Sequence, residues 1–247
     1  MNRADASIRI AMWSGPRNIS TALMRAFENR VDTAVTDEPL YGHYLLATGL
    51  DHPGRDEVIA AQETDWQKVA AALLGPVPGG RRVWYQKHMA HHLLPEIGRD
   101  WLDHLSNCFL IRDPREVLAS YVRTRAQPTL ADLGVARQVE LFEQVRASTG
   151  RVPPVLDARD VLQDPRRMLG LLCAAIGIPF SERMLAWPEG PRPSDGVWGR
   201  HWYAGVWRST GFRPYQPPKA PLPAALQPLA DDSAPFYQML HAHRLGA

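Results

Sequence analysis

The 247 residues carry 28 basic and 26 acidic side chains, for a formal net charge of +2. That balance excludes a nucleic-acid coat and leaves room for a local basic pocket that holds phosphate. At 45% hydrophobic the chain can bury a sizeable core, and its length suits one α/β domain. Cys108 and Cys173 are the only cysteines, which excludes a disulfide framework or a cysteine zinc site; each lies in an apolar run and reads as a buried thiol. The opening MNRADASIRIAMW has no signal-peptide apolar run. No stretch approaches the ~18 apolar residues of a membrane span. The expectation is a cytoplasmic protein with no membrane contact and no nucleic-acid partner.

In chain order, residues 8–13 form a short apolar run of the kind found in buried parallel strands. The turn SGPRN follows, and then Ile19, Ala22, Leu23, Ala26 and Phe27 recur at helical spacing. A second strand is expected over 33–36, closed by Asp37, Glu38 and Pro39. Residues 56–74 read as one helix ending at Gly75, GPVPGG as a loop and VWYQKHM as a strand. The spacing of Leu93, Leu94, Trp101, Leu102 and Leu105 predicts a helix with Pro95 in its first turn. NCFLI is the clearest strand, and Asp113-Pro114 supplies an N-cap and an N1 proline for a helix running to about Ala126. A helix over 130–148 stops at Gly150. PVLDA is strand-like, and Asp164-Pro165 starts a helix that ends at Gly177. Such alternation predicts a three-layer α/β domain, with a central parallel sheet covered on both faces.

Beyond residue 187 the composition changes. Ten of the 22 prolines and four of the eight tryptophans lie in 187–247. The expectation is an α/β core over 8–186 and an irregular Pro/Trp-rich tail over 187–247 that wraps it, with a short helix near 235–243. Trp198, Trp202 and Trp207 read as core or pocket wall.

In open parallel sheets ligands bind at the carboxyl ends of the strands. The turn Ser14, Gly15, Pro16, Arg17, Asn18, Ile19, Ser20 and Thr21 sits at such an end and opens a helix. Free backbone N–H groups, the helix dipole, two hydroxyls and one guanidinium there favour a phosphate or sulfate. The loop lacks the lysine of a GxxxxGK[ST] motif, which disfavours ATP kinase chemistry. Farther on, Arg112 ends the NCFLI strand and Ser120 lies in the following helix. A guanidinium fork with a hydroxyl suits a phosphate monoester. Asp113 reads as an N-cap.

The stretch PRNISTALMRAF resembles the 5'-phosphosulfate loop of the sulfotransferase family, most closely in the branch that carries Pro-Arg. FLIRDPREVLASYV resembles that family's 3'-phosphate segment, with both contact positions matched by Arg112 and Ser120. DARDVLQDPRRMLGLLCAAIGIP resembles a further family segment at Asp160, with Ala158 and Arg159 in place of Tyr-Glu, and reads as structural. The resemblance implies a P-loop-like fold and 3'-phosphoadenosine 5'-phosphosulfate (PAPS) as sulfuryl donor, without a metal. It also implies a small-molecule acceptor, Arg17 as stabiliser of the transferring group and Glu38, within TDEPLY, as the acceptor's base. Ile19 stands where this loop commonly has glycine. In the VWYQKHMAHH region, where family members often present a lysine and sometimes a histidine base, Lys87 ends the strand and His88, His91 and His92 are alternative bases. Within HWYAGVWRSTGFRPY, residues Arg208, Ser209, Thr210 and Gly211 resemble a segment that closes over the nucleotide. Two other readings stay open: a non-catalytic nucleotide-binding protein and a metal-dependent phosphotransferase.

Overall fold

The computed structural model describes residues 7–121, 128–218 and 220–247. Its centre is a five-stranded, all-parallel sheet made by β1 (Ile8–Ser14), β2 (Thr33–Asp37), β3 (Val83–Met89), β4 (Ser106–Ile111) and β5 (Val155–Asp157), in the order β2-β3-β1-β4-β5. The middle strands are apolar because both faces are covered. Side chains alternate across β1. Ile10 and Met12 enter one core with Leu23, Phe27, Tyr85, Leu169 and Leu172, whereas Ala11 and Trp13 enter the other with Trp84, Trp101, Phe109 and Phe142. The first core is roofed by α1 (Ser20–Glu28) and α9 (Pro165–Ile176), which follows α8 (Ala158–Gln163). The second is roofed by α4 (Trp66–Leu74), α7 (Val135–Thr149) and α12 (Gln227–His241). Cys108 and Cys173 are buried free thiols, as expected. Among the described residues no helix is long and apolar enough to cross a membrane.

Four expected elements differ from the structure. The single helix over 56–74 is two helices, α3 (Arg55–Ala61) and α4, because the Asp65 carboxylate caps α4 by accepting from the Gln67 and Lys68 amides. The stretch 93–105 is not a helix: Trp101 and Leu102 sit on a short 3-10 turn, Asp100–His104, while Leu93 and Leu94 follow another, Ala90–His92, in irregular chain and Leu105 is extended. A Cβ on the intervening Gly98 would lie 2.9 Å from the Trp66 ring, so the backbone there runs hard against α4. The helix over 130–148 breaks at Gly134, φ 69°, into α6 (Leu130–Leu133) and α7. The C-terminal helix begins at Gln227 and carries Pro235 inside it. The helix after β4, α5 (Pro114–Tyr121), is described to Tyr121, and its expected continuation to Ala126 lies outside the described residues. The sequence reading had no element at α2 (Tyr41–Thr48), which closes with Gly49 at φ 66°. In the segment after residue 187, α10 (Gly199–Trp202) and α11 (Ala204–Trp207) are single turns.

At the end of β1 the chain turns beneath α6. The ideal Cβ of an alanine at Gly15 would stand 2.4 Å from the Leu133 carbonyl oxygen, a backbone atom that cannot swing away. Behind the turn, Asn18 Nδ2 donates to the Leu110 carbonyl at 2.6 Å, and Gln138 Nε2 donates to the same carbonyl at 3.0 Å and to that of Trp13 at 3.1 Å. These bonds fix the loop after β1 against the end of β4. Gly15→Ala is expected to cost about 1–3 kcal/mol by overpacking. Thermal unfolding should then fall by on the order of 5 °C, measured by calorimetry against the wild-type chain.

Candidate functional site

Because all five strands run the same way, their carboxyl ends share one edge. The connection from β3 to β4 crosses beyond β1, so the sequence order reverses there. A crevice opens at such a reversal. The loops leaving β1, β2, β3 and β4, with the segment around residues 202–216, enclose a cleft of about 1100 Å³.

One wall is the β1–α1 loop, where Pro16, Arg17, Asn18, Ile19, Ser20 and Thr21 line the cleft. Ile19, the N-cap residue of α1, makes no side-chain cap, so the first-turn backbone N–H groups and the positive end of the helix dipole suit an anion. Arg17 (φ 56°) and Ile19 (φ 24°) take left-handed backbone conformations that side chains disfavour. Ile19 thus holds a backbone conformation that glycine tolerates best, and its side chain packs against the core that contains Leu23.

The second wall comes from β4 and α5. Arg112 and Ser120 line the same cleft as Arg17. Arg17 Nε donates to Ser120 Oγ at 3.0 Å, and Arg112 Nη1 donates to the Arg17 carbonyl at 2.9 Å. Arg112 Nε is aimed by Glu116, whose Oε2 accepts from it at 3.0 Å. The other oxygen of Glu116 accepts from Tyr215 Oη at 2.6 Å and Arg159 Nη2 at 3.4 Å. Burial works against the Glu116 charge, but these donors outweigh it and hold the carboxyl below its usual range.

The third wall holds Glu38, at φ 42°. It begins the turn after β2, and its amide donates to the Lys87 carbonyl at 2.9 Å. Lys87 is 1% exposed and donates to Glu38 Oε1, to Asp37 Oδ1 at 2.8 Å and to Tyr203 Oη at 2.8 Å. Burial opposes the ammonium charge, yet the carboxylates of Asp37 and Glu38 prevail and raise its pKa well above the usual value. The Glu38 carboxyl is raised, first by burial and then by Asp37, with Lys87 pulling the other way. Arg17, Ile19 and Glu38 are the only non-glycine residues at positive φ among the described residues. Backbone strain of this kind collects at functional sites.

The structure separates some residues that the sequence grouped. Ser14 is fully buried with its hydroxyl 3.5 Å from the His88 carbonyl, and Gly15 packs on Leu133; neither lines the cleft. Ser209 and Gly211 do line it, whereas Arg208 and Thr210 are exposed and do not. Gly211 pairs with Ala186, and the Thr210 carbonyl accepts from the Trp187 amide. The Ser209 hydroxyl is engaged by Val206 and Trp187. His88 points away from the cleft: it stacks on Trp13 at 4.3 Å, and burial lowers its pKa to about 3. His91 and His92 line the cleft. His92 stacks on Tyr41 and Tyr44, both at 4.6 Å, and burial, with His91 and His52 nearby, keeps it neutral. Trp202 lines the cleft and Trp198 is core. Asp37, Tyr203, Tyr41 and Glu116 were missed by sequence reasoning. Only the adjacent carboxylates of TDEP offered a signal for Asp37.

The family described as "Sulfotransferase domain" matches residues 8–244. Among curated proteins, "Branched-chain-amino-acid aminotransferase-like protein 1" of Arabidopsis thaliana is 37% identical over 236 residues, covering 95% of this chain and 42% of its own length. The similarly named protein 2 of that plant is 33% identical over 234 residues, covering 95% and 41%. The chain thus spans about two fifths of the length of the curated relatives it matches. Solved structures share the fold. The sulfotransferase from Alicyclobacillus acidocaldarius aligns over 97% of both chains with TM-score 0.57 and 14% identity. The sulfotransferase domain of the Synechococcus PCC 7002 olefin synthase covers 94% of this chain and 97% of its own, with TM-score 0.54 and 19% identity. Matched by the family over nearly its whole length and built on the same α/β fold, this chain belongs to the sulfotransferase domain family.

Proposed function

We propose that the chain transfers the sulfuryl group of PAPS to a hydroxyl or amine of a small acceptor. One observation carries the reading: Arg17 and Arg112 open onto a single cleft, bonded to each other through the Arg17 carbonyl, with Glu38 on the same cleft. A donor with phosphates on the 3' and 5' positions of one ribose calls for two neighbouring anion sites of this kind. The α1 N-terminus, Ser20 and Thr21 hold the 5'-phosphosulfate. Arg112, aimed by Glu116, and Ser120 hold the 3'-phosphate. Ser209 and Gly211 border the nucleotide.

In the transfer, Glu38 takes the acceptor's proton as the acceptor oxygen or nitrogen bonds to sulfur. The bond from sulfur to the bridging oxygen breaks, and adenosine 3',5'-bisphosphate leaves with that electron pair. Arg17 meets the charge that grows on the sulfuryl and bridging oxygens. Such a transfer depends on in-line positioning and on fixed charges more than on covalent help from the protein.

Bisphosphate release from PAPS, measured with a panel of phenol, alcohol and amine acceptors, tests the reading directly; no turnover with any acceptor would overturn it. With an accepted substrate, Arg17→Ala is expected to lower kcat by more than ~100-fold. Arg112→Ala should weaken adenosine 3',5'-bisphosphate binding about 10- to 100-fold, the scale of a lost charged hydrogen bond, as read by calorimetric titration. Glu38 works deprotonated and its carboxyl is raised, first by burial. Turnover should therefore fall as pH drops through a value above the ordinary carboxylate range, and a kcat–pH profile checks the position of that limb.

A further inference from the structure

We propose that Asp37 and Tyr203 are positioning residues for Glu38, acting through the Lys87 ammonium that all three share, so that Glu38 Oε2 is left as the proton-accepting atom. This rests on the reading of Glu38 as the acceptor's base.

The parallel register sets Asp37 of β2 beside Lys87 of β3. A lysine ammonium has three N–H donors, and here all three are spent, on Asp37 Oδ1, Glu38 Oε1 and Tyr203 Oη. Lys87 borders the cleft but is only 1% exposed. It has no donor left for a ligand, so its influence on chemistry passes through the carboxylate it grips. Tyr203 closes the ring by donating to Asp37 Oδ2 at 2.7 Å, while its oxygen also accepts from Trp198 Nε1 at 3.1 Å. The Tyr203 proton is shared unequally: its 3.4 Å approach to Glu38 Oε1 is the longer and weaker of the pair.

The Glu38 backbone is pinned as well. Its carbonyl accepts from Gln62 Nε2 at 3.1 Å and from the Tyr41 amide at 3.0 Å. With Oε1 tied to Lys87, Oε2 is the oxygen free to take a proton. The titratable and charged groups facing Glu38 are Asp37 and Lys87 from the strands, Tyr203 from the turn joining α10 and α11, Tyr41 from α2 and His92, whose Nδ1 lies 4.0 Å from Oε2. His92 stays neutral and the phenols of Tyr41 and Tyr203 stay protonated. Two carboxylates thus share one cation, leaving one net negative charge.

That sharing makes the two positioning groups act in opposite directions. Without the Asp37 charge, Lys87 pairs with Glu38 alone and its carboxylate becomes less basic. Without the Tyr203 hydroxyl, Asp37 and Glu38 lose a stabilising donor and Glu38 becomes more basic.

The test is a 13C titration of the Glu38 side-chain carboxyl in the full chain, assigned by its loss in Glu38→Gln, a readout that needs no acceptor. Asp37→Asn should lower the Glu38 midpoint by about one pH unit or more, and Tyr203→Phe should raise it by about half a unit. Both variants should bind adenosine 3',5'-bisphosphate with wild-type affinity. Midpoints unchanged in both variants, or moved in the same direction, overturn the inference. If Asp37→Asn does not fold, the Tyr203→Phe midpoint decides alone. Turnover separates this from the parent reading. Wild-type kcat in Glu38→Gln removes Glu38 as base. A dead Glu38→Gln with unmoved midpoints removes only the roles of Asp37 and Tyr203.

Discussion

The site is organised around one buried cation. An ammonium taken out of water is costly, and the cost is recovered only when opposite charges and hydrogen-bond acceptors surround it in good geometry. Lys87 meets Asp37 from the neighbouring strand, Glu38 from the turn beyond it and Tyr203 from far along the chain. None of the three can move without exposing a charge to an apolar interior, so β2, β3 and the C-terminal segment are held in one register. The same arrangement keeps a carboxylate at the cleft surface although its backbone sits at φ 42°.

Across the cleft the same logic works with guanidinium groups. Arg112 is fixed from behind by Glu116 and spends one N–H on the Arg17 carbonyl, while Arg17 reaches Ser120 on α5. A loop that turns through two left-handed, non-glycine residues is thus braced by an adjacent strand end and helix. Pre-organisation of this kind lowers the cost of binding a doubly anionic ligand, because few groups must be ordered when it arrives.

The parts legible in the sequence were those written in contiguous residues. Strand β1, its loop and α1, and likewise β4 with Asp113-Pro114, declare themselves through apolar runs followed by capping chemistry; the parallel sheet follows from their alternation. What was hidden depends on partners distant in sequence. Asp37 matters because its strand lies beside Lys87, and Tyr203 because α10 and α11 dock on α2 through Tyr41, Tyr44 and Trp198. The break at 62–65 came from the Asp65 cap, inside a stretch whose spacing otherwise reads as one helix. The leucines and tryptophan of 93–105 have helical spacing but are apolar for a different reason: they fill the second core from a 3-10 turn and the irregular chain around it. Arg208 and Thr210 flank the cleft-lining Ser209 and Gly211 but are themselves exposed and off the cleft.

The Tyr203–Asp37 bond spans 166 residues of sequence. As the polypeptide emerges from the ribosome, β2 and β3 are made long before the phenol that completes the ammonium's shell. A nascent chain that stops short of that phenol leaves Lys87 one acceptor short and its two carboxylates without the Tyr203 hydroxyl. The buried ion cluster is therefore completed only once Tyr203 has been synthesised and its segment has docked against α2.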